Sequence, residues 1–222
     1  MIRVTSLTKE YRDGDRVIKP LDRVEFSCKK GEFVLITGRS GSGKTTFLNI
    51  LGGLTRPSSG TVMVDGRNLY AVSDAEQAAM RSATVGFVFQ FPGLLSPLTA
   101  LENVVLPAAL QGHGADMIGR GFDLLTRVGL EKKAGSMPST LSGGELKRTA
   151  IARALINNPR LILADEPTAD LDAETEREVM ELFREVNTAG TTMIMVTHNT
   201  ELASNASRVM RMERGTLAER SG

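Results

Sequence analysis

Gly38-Arg39-Ser40-Gly41-Ser42-Gly43-Lys44-Thr45, preceded by Phe33-Val34-Leu35-Ile36 and followed by Phe47-Leu48-Asn49-Ile50-Leu51, decides how the rest of the chain is read. The octapeptide is a complete G-x-x-x-x-G-K-[ST] phosphate-binding loop. The apolar run before it reads as a buried strand and the run after it as a helix, the context in which this motif works. Glycines let backbone N–H groups converge on phosphate oxygens, and a helix N-terminus adds a favourable field. Lys44 is placed to reach the β- and γ-phosphates of a nucleoside triphosphate, and Thr45 to offer its hydroxyl to Mg²⁺. The competing reading, a surface turn rich in Gly and Ser, leaves the flanking strand and helix unexplained.

Composition narrows the classes. A chain of 222 residues, 41% hydrophobic and 24% charged, suffices for one compact domain with a substantial core and room for two lobes. Lys plus Arg is 27 against 26 Asp plus Glu, a net charge of +1, so no global field points to nucleic acid or anionic lipid. The single cysteine, Cys28, excludes a disulfide within the chain and suits a reducing compartment. It reads as a small core hydrophobe. No apolar run approaches the roughly 18 residues needed to span a bilayer. Met1-Ile2-Arg3-Val4-Thr5 lacks the apolar region of a signal peptide. The chain is expected to be soluble by itself, with another protein holding it at any membrane where it works.

Strand-like runs occur at Ile2–Leu7, Arg23–Ser27, Phe33–Thr37 and Thr61–Val64, and helix-like patterns at Asp74–Arg81, Thr99–Gln111 and Ala115–Val128. Ser142–Ile156 and Ala173–Asn187 are the clearest helices. The second follows a good cap, Asp172, and puts Thr175, Val179, Leu182, Phe183 and Val186 on one stripe of a plain amphipathic core helix. Leu161–Ala164 and Thr192–Val196 read as buried parallel strands. Strands alternating with helices after the phosphate loop predict an α/β sheet. The tail, Glu219-Arg220-Ser221-Gly222, is expected to fray.

Two further motifs carry chemistry. Leu161–Glu166 is an apolar strand ending in Asp165-Glu166, two acids at the carboxyl edge of a parallel sheet beside a phosphate loop. Asp165 is suited to hold Mg²⁺, directly or through water, and Glu166 to orient and polarise an attacking water. Ser142-Gly143-Gly144-Glu145 has the S-x-x-E form of a capping box. The box leaves two adjacent glycines in a first helical turn unexplained, each costing up to about 1 kcal/mol relative to Ala. Such a cost suggests a close approach of the backbone to something, and a phosphate at a helix N-terminus is the natural candidate. The chain already has one phosphate loop, so the second suggests a nucleotide held by another molecule.

With these motifs in hand, the chain resembles the nucleotide-binding subunits of ABC transporters over nearly its whole length. Leu141-Ser142-Gly143-Gly144-Glu145 is similar to the family's LSGGQ-type signature, with Glu145 in place of the commoner Gln. The resemblance implies that Tyr11 stacks on adenine, that Gln90 after Val88-Phe89 is the glutamine contacting Mg²⁺ and γ-phosphate, and that His198 is the switch histidine at the γ-phosphate. Pro167–Asp172 corresponds to the D-loop region. His113, the other histidine, lies in a Gly-rich turn and reads as solvated. Three departures stand out: Asn199 where Asp is common, Ala169-Asp170 in the D-loop, and Leu146-Lys147 in place of the usual Gln pair. The segment Phe91–Pro107, with Pro138 before the signature, is similar to the branch serving lipoprotein release, macrolide export and a cell-division ATPase.

The resemblance implies an α/β fold, a P-loop NTPase of ABC type with a mostly parallel core sheet, an N-terminal antiparallel β subdomain and a helical signature-motif subdomain. Residues 1–222 are expected to form one ATPase domain, with the RecA-like core and β subdomain over about 1–90 and 160–222 and the helical part over about 91–159. Catalytic roles fall on Glu166, His198 and Lys44. Nucleotide contacts fall on Tyr11, Gly38, Arg39, Ser40, Gly41, Ser42, Gly43, Lys44, Thr45, Thr46 and Gln90, and across the dimer on Ser142, Gly143, Gly144 and Glu145. Mg²⁺ falls to Thr45, Gln90 and Asp165. Two copies are expected to sandwich two ATP head to tail and to drive a separate membrane permease that touches Gln90–Pro107, from the cytoplasmic face of the membrane and without nucleic acid. A regulatory or mechanical ATPase acting through a membrane protein without transport is the alternative. A DNA-repair or chromosome ATPase would need a long coiled-coil or zinc insertion between the phosphate loop and the signature, and none is present.

Overall fold

In the computed structural model, which describes residues 1–14 and 16–219, β3 (Phe33–Thr37) is buried at all five positions. Its alternate side chains supply two different cores. Phe33 and Leu35 join Ile162, Ala164, Met193 and Met195 on one face of the sheet, and Val34 and Ile36 join Leu161, Leu163, Ile194 and Val196 on the other. That is why these strands read as continuous apolar runs: helices or a second sheet cover both faces.

Besides β3, the described chain runs through β1 (Ile2–Asp13), β2 (Arg16–Cys28), β4 (Ser59–Val64), β5 (Arg67–Asn68), β6 (Val85–Val88), β7 (Leu161–Asp165), β8 (Thr192–Thr197), β9 (Arg208–Glu213) and β10 (Thr216–Glu219). The helices are α1 (Lys44–Leu51), α2 (Asp74–Thr84), α3 (Ala100–Ala109), α4 (Ile118–Arg127), α5 (Gly143–Leu155) and α6 (Ala173–Thr188). The larger sheet has the order β10-β9-β3-β8-β7-β6, parallel except for the β9–β10 hairpin. The smaller is antiparallel, β2-β1-β4-β5. Thr37 pairs with Thr197 and Asp165 with Val196, so β3, β8 and β7 end level with one another. Everything that follows these strands emerges at one edge.

Several elements differ from the sequence reading. β1 runs on past Leu7 to Asp13 through register shifts, so Tyr11 is a strand residue opposite Ile18. The pattern over 99–111 narrows to α3, which contains Pro107, and that over 115–128 divides into a 3₁₀ turn at Ala115–Met117 and α4. β6 follows α2 without a loop and was masked by Gly86, where a Cβ would meet the Ala154 carbonyl oxygen at 2.3 Å. Only glycine lets α5 lie so close to this edge strand. Glu219 closes β10 rather than fraying, and residues 220–222 lie outside the described residues. Cys28 is buried in the core. No helix among the described residues is long and apolar enough to cross a membrane.

Helix starts are locally encoded. Ser73 and Glu76, Thr99 and Glu102, and Ser142 and Glu145 form reciprocal capping boxes, and Asp172 caps α6 by accepting from the Thr175 N–H. Each cap is worth about 1 kcal/mol. Asn103 on α3, fully buried, then organises the loop before it. Its Oδ1 accepts from Leu95 N at 2.7 Å, and its Nδ2 donates to the carbonyls of Leu95, Leu98 and Thr99 at 3.0–3.1 Å. Asn103→Ala leaves several of these groups without a partner, and is expected to cost about 2–4 kcal/mol. Urea unfolding should show a lower midpoint with an unchanged m-value; an unaltered midpoint would refute the account.

Candidate nucleotide site

The loop between β3 and α1 is shaped by close contacts. A Cβ on Gly38 would meet the Met212 carbonyl oxygen at 2.4 Å, and one on Gly43 the Pro20 carbonyl oxygen at 2.2 Å. Gly41 and Gly43 have φ of 75° and 109°, left-handed values that suit glycine. Gly43 caps α1 with no side-chain hydrogen bond, and no acidic residue sits in the first turn. Four other helices start under a Ser, Thr or Asp cap, whereas α1 opens its N–H groups and positive dipole end into the cleft. This is the local electrostatics of an anion site.

Lys44 is buried, with Nζ donating to the carbonyls of Gly38 at 2.8 Å and Arg39 at 3.2 Å. The same Nζ lies 3.9 Å from Glu166 Oε1. Asp165 ends β7, and burial raises its pKa; a hydrogen bond from the Thr45 hydroxyl and the charge of Lys44 act the other way, while Glu166 adds to the rise. Asp165 Oδ1 and Ser42 Oγ are buried with no hydrogen-bond partner among the described residues. A buried carboxylate oxygen left over beside a threonine hydroxyl is a hard-oxygen donor set, which suits Mg²⁺ completed by phosphate oxygens or water.

Glu166 has φ 46°, and its N–H donates to the Val196 carbonyl at 2.9 Å. Its Oε2 accepts from Thr197 Oγ1 at 2.9 Å and from the His198 N–H at 3.2 Å, and lies 3.0 Å from His198 Nδ1. The carboxylate is therefore fixed by β8, the strand between β3 and β7. A cleft of about 660 Å³ is lined by Ser40–Thr46, Gln90, Asp165, Glu166 and His198, with Tyr11, Ile18 and Pro20 at one end. Gly38 and Arg39 line a smaller adjoining cleft with His198. One face of the half-exposed Tyr11 ring is covered by the Lys9 ammonium, 4.8 Å from the centroid.

Ser142–Glu145 does not line this cleft. The Glu145 carboxylate folds back onto its own helix start, accepting from the Ser142 N–H at 2.7 Å and pairing with Lys133 at 3.4 Å. These contacts, the backbone N–H first, hold its pKa below the usual range. Apart from its chain neighbours and its own helix backbone, nothing among the described residues lies within 4 Å of a Cβ placed on Gly143, and one on Gly144 would make only ordinary contacts at 3.7–3.8 Å with Leu171 and Thr175. The demand for glycine there is not met inside one copy. Sequence reasoning missed Thr197, Ile18 and Pro20. Thr197 was visible as the polar end of an apolar strand, whereas Ile18 reaches the cleft only through its cross-strand pairing with Tyr11.

A phosphate loop, an acid pair at the neighbouring strand end and a second glycine-rich helix start define an ABC-type ATPase. Comparison with known proteins agrees. The ABC transporter family matches residues 21–169. The lipoprotein-releasing system ATP-binding protein LolD of Shewanella oneidensis is 47% identical over 219 residues, 98% of this chain and 95% of that one. The macrolide export ATP-binding/permease protein MacB of Rhodopirellula baltica is 45% identical over 99% of this chain and 33% of its own length. Among solved structures, the dimeric ATP-binding cassette MJ0796 in a post-hydrolysis state with ADP and Pi superposes with a TM-score of 0.94 at 39% identity, over the whole of both chains. The chain belongs to the ABC transporter family, within the branch that includes LolD and MacB.

Proposed function

We propose that the protein binds ATP in the Tyr11–His198 cleft and hydrolyses it as a head-to-tail dimer, driving a membrane permease in export, lipoprotein extraction or force transmission. The observation that carries this reading is the pair of complementary half-sites: an open phosphate cradle on α1, and a glycine-rich helix start at Gly143 with open space around it among the described residues. Each ATP then lies between Gly38–Thr46 of one copy and Ser142–Glu145 of the other. Tyr11 stacks on the base. Lys44 moves from its carbonyl contacts to the β- and γ-phosphates, exchanging neutral acceptors for charged ones that bind an ammonium more strongly. Thr45, Gln90 and Asp165 hold Mg²⁺, which when bound neutralises charge developing on the phosphates.

Glu166 orients and polarises the attacking water, and His198 contacts the γ-phosphate. Thr197 and the His198 backbone keep Glu166 aimed before nucleotide arrives, so orientation is settled in advance of chemistry. Residues 91–159 act as the helical unit that carries the signature; α3, α4 and α5 pack on one another. The permease docks beside them. An apolar groove of about 480 Å³, lined by Leu54, Phe87, Phe89, Leu95, Leu106 and Arg153, adjoins Gln90, with Phe91 80% exposed nearby. The protein works at the cytoplasmic face of the membrane through that partner, and nucleic acid has no part in it.

The test is Gly143→Asp. Open space around the Cβ predicts normal folding and normal monomeric ATP affinity, while a carboxylate at the phosphate-facing helix start repels the partner's nucleotide. Turnover is expected to fall about 100-fold or more, in the range of losing a transition-state contact. Isothermal titration, circular dichroism and phosphate release separate the three effects. Normal turnover in a correctly folded variant rejects the composite site.

A further inference from the structure

Tyr11 lines the far end of the nucleotide cleft with Ile18 and Pro20. One face of its ring lies under the Lys9 ammonium, 4.8 Å from the centroid. Lys9 does not line the cleft, so the ammonium sits behind the ring and the other face is left for a ligand. Two further cation–ring contacts occur among the described residues, Arg208 over Phe26 at 5.6 Å and Arg56 over Tyr70 at 5.9 Å. Both are longer, and neither ring borders the cleft. Phe26 is buried in the core, and the Tyr70 hydroxyl donates to the carbonyls of Ile50 and Thr55.

Lys9 is pinned, unlike an ordinary surface lysine. β1 and β2 shift register between the pairs Lys9–Leu21 and Tyr11–Ile18, where Lys19 and Pro20 of β2 oppose Glu10 alone. The extra residue belongs to β2, so β1 keeps its two-residue period and Lys9 and Tyr11 share a face. Pro20 sits in the bulge, where a missing N–H is tolerated. The segment after α1 is stitched to the same stretch of β1. Ser58 N donates to the Thr8 carbonyl at 2.8 Å, Glu10 N to Ser58 Oγ at 2.9 Å, and Lys9 Nζ to the Arg56 carbonyl at 2.9 Å. The ammonium is thus held against the ring by backbone on two sides.

We propose that Lys9 is a positioning residue for the nucleobase: its ammonium braces the Tyr11 ring from behind and draws π-electron density away from the face on which the base stacks. This rests on the stacking role of Tyr11 proposed above. Aromatic faces carry negative charge, so two rings laid face to face repel through their quadrupoles. A cation on the far side of one ring offsets that repulsion and strengthens the stack. It also fixes the ring before nucleotide arrives, so less ordering is left to binding. Both effects reach the base and not the phosphates, which lie at the Lys44 end of the cleft. An ammonium acting through its field alone would instead favour a bare triphosphate as much as the whole nucleotide.

The experiment compares ATP with inorganic triphosphate by isothermal titration, without Mg²⁺ so that nothing turns over. Lys9→Met, which keeps the apolar stem and removes the charge, is expected to weaken ATP binding about fivefold and to leave triphosphate binding unchanged. Tyr11→Ala should weaken ATP binding about tenfold or more. The double variant should lose no more than Tyr11→Ala, because the ammonium acts through the ring. Lys9→Arg should recover wild-type affinity to within about twofold, since a guanidinium also lies well on an aromatic face. With Mg²⁺ present, Lys9→Met should raise KM for ATP about fivefold while kcat holds, as expected for a contact made equally in ground and transition states. Equal losses for ATP and triphosphate, or a Lys9→Arg no better than Lys9→Met, would overturn the proposal. So would an unchanged Lys9→Met beside a weakened Tyr11→Ala, which leaves the stacking itself standing. ATP binding unaltered in Tyr11→Ala removes the stacking reading on which this one rests.

Discussion

Glu166→Gln is expected to abolish steady-state turnover, lowering kcat about 10³-fold, while ATP binding is preserved and a stable ATP-bound dimer accumulates. The magnitude follows from what the substitution keeps. Glutamine has the shape of glutamate, and its amide oxygen can still accept from Thr197 Oγ1 and the His198 N–H, now at 2.9 and 3.2 Å. The fold and the aim of the side chain are therefore retained. What is lost is the negative charge proposed to polarise water, and with it the interaction 3.9 Å away with Lys44. Losing that charge lessens the repulsion that a phosphate-bearing ligand meets in the cleft, so affinity for ATP should hold or rise. In the proposed cycle opening of the dimer follows hydrolysis, so blocking hydrolysis is expected to hold the closed state. Phosphate release and light scattering with ATP and Mg²⁺ test both halves. A variant that turns over within tenfold of wild type would transfer the catalytic role elsewhere, with His198 the next carboxylate-linked group in line. A variant that is inactive but monomeric with ATP would keep the catalytic role and reject dimer closure.

The sequence showed the active edge of the sheet better than the molecule around it, for a physical reason. Phe33–Thr37, Leu161–Asp165 and Thr192–Thr197 are buried on both faces, so they are uninterrupted apolar runs, and each ends in polar residues where it leaves the core. The chemistry sits at those ends, so motif and element boundary coincide. The remaining strands lack such contrast. β9 reads Arg-Val-Met-Arg-Met-Glu, with charge at both ends and one buried face, and its place beside β3 is set by long-range pairing of Val34 with Arg208. Tyr11 could be picked out by type but not placed, because the register shifts that carry β1 past Leu7 depend on β2. The capping box at Ser142 was legible because its hydrogen bonds span three residues.

Gly43→Ala is expected to eliminate measurable ATP binding and to destabilise the protein by about 3 kcal/mol or more, the sum of left-handed backbone strain and a main-chain collision. Gly43 sits at φ 109°, and the added methyl would lie 2.2 Å from the Pro20 carbonyl oxygen, with Leu21 and Met212 side-chain atoms at 3.2 and 3.3 Å. The side chains could give way; the carbonyl belongs to β2, pinned in its sheet by β1, and cannot move without shifting that pairing. The loop must yield instead, and it yields at the residue that starts α1 and aims its N–H groups. Function and stability are thus expected to fail together, unlike the Gly143 substitution, where open space separates them. Thermal unfolding should fall by roughly 6–12 °C for a chain of this size. Lys44→Met supplies the contrast: it removes the ammonium from the same site without a main-chain collision, so it should weaken ATP binding, and any fall in melting temperature then reflects only the lost contacts of Nζ with Glu166 and with the Gly38 and Arg39 carbonyls. If Gly43→Ala binds ATP normally, the close approach of β2 to the phosphate loop does not set the cradle's geometry, and the rigidity attributed to it is wrong.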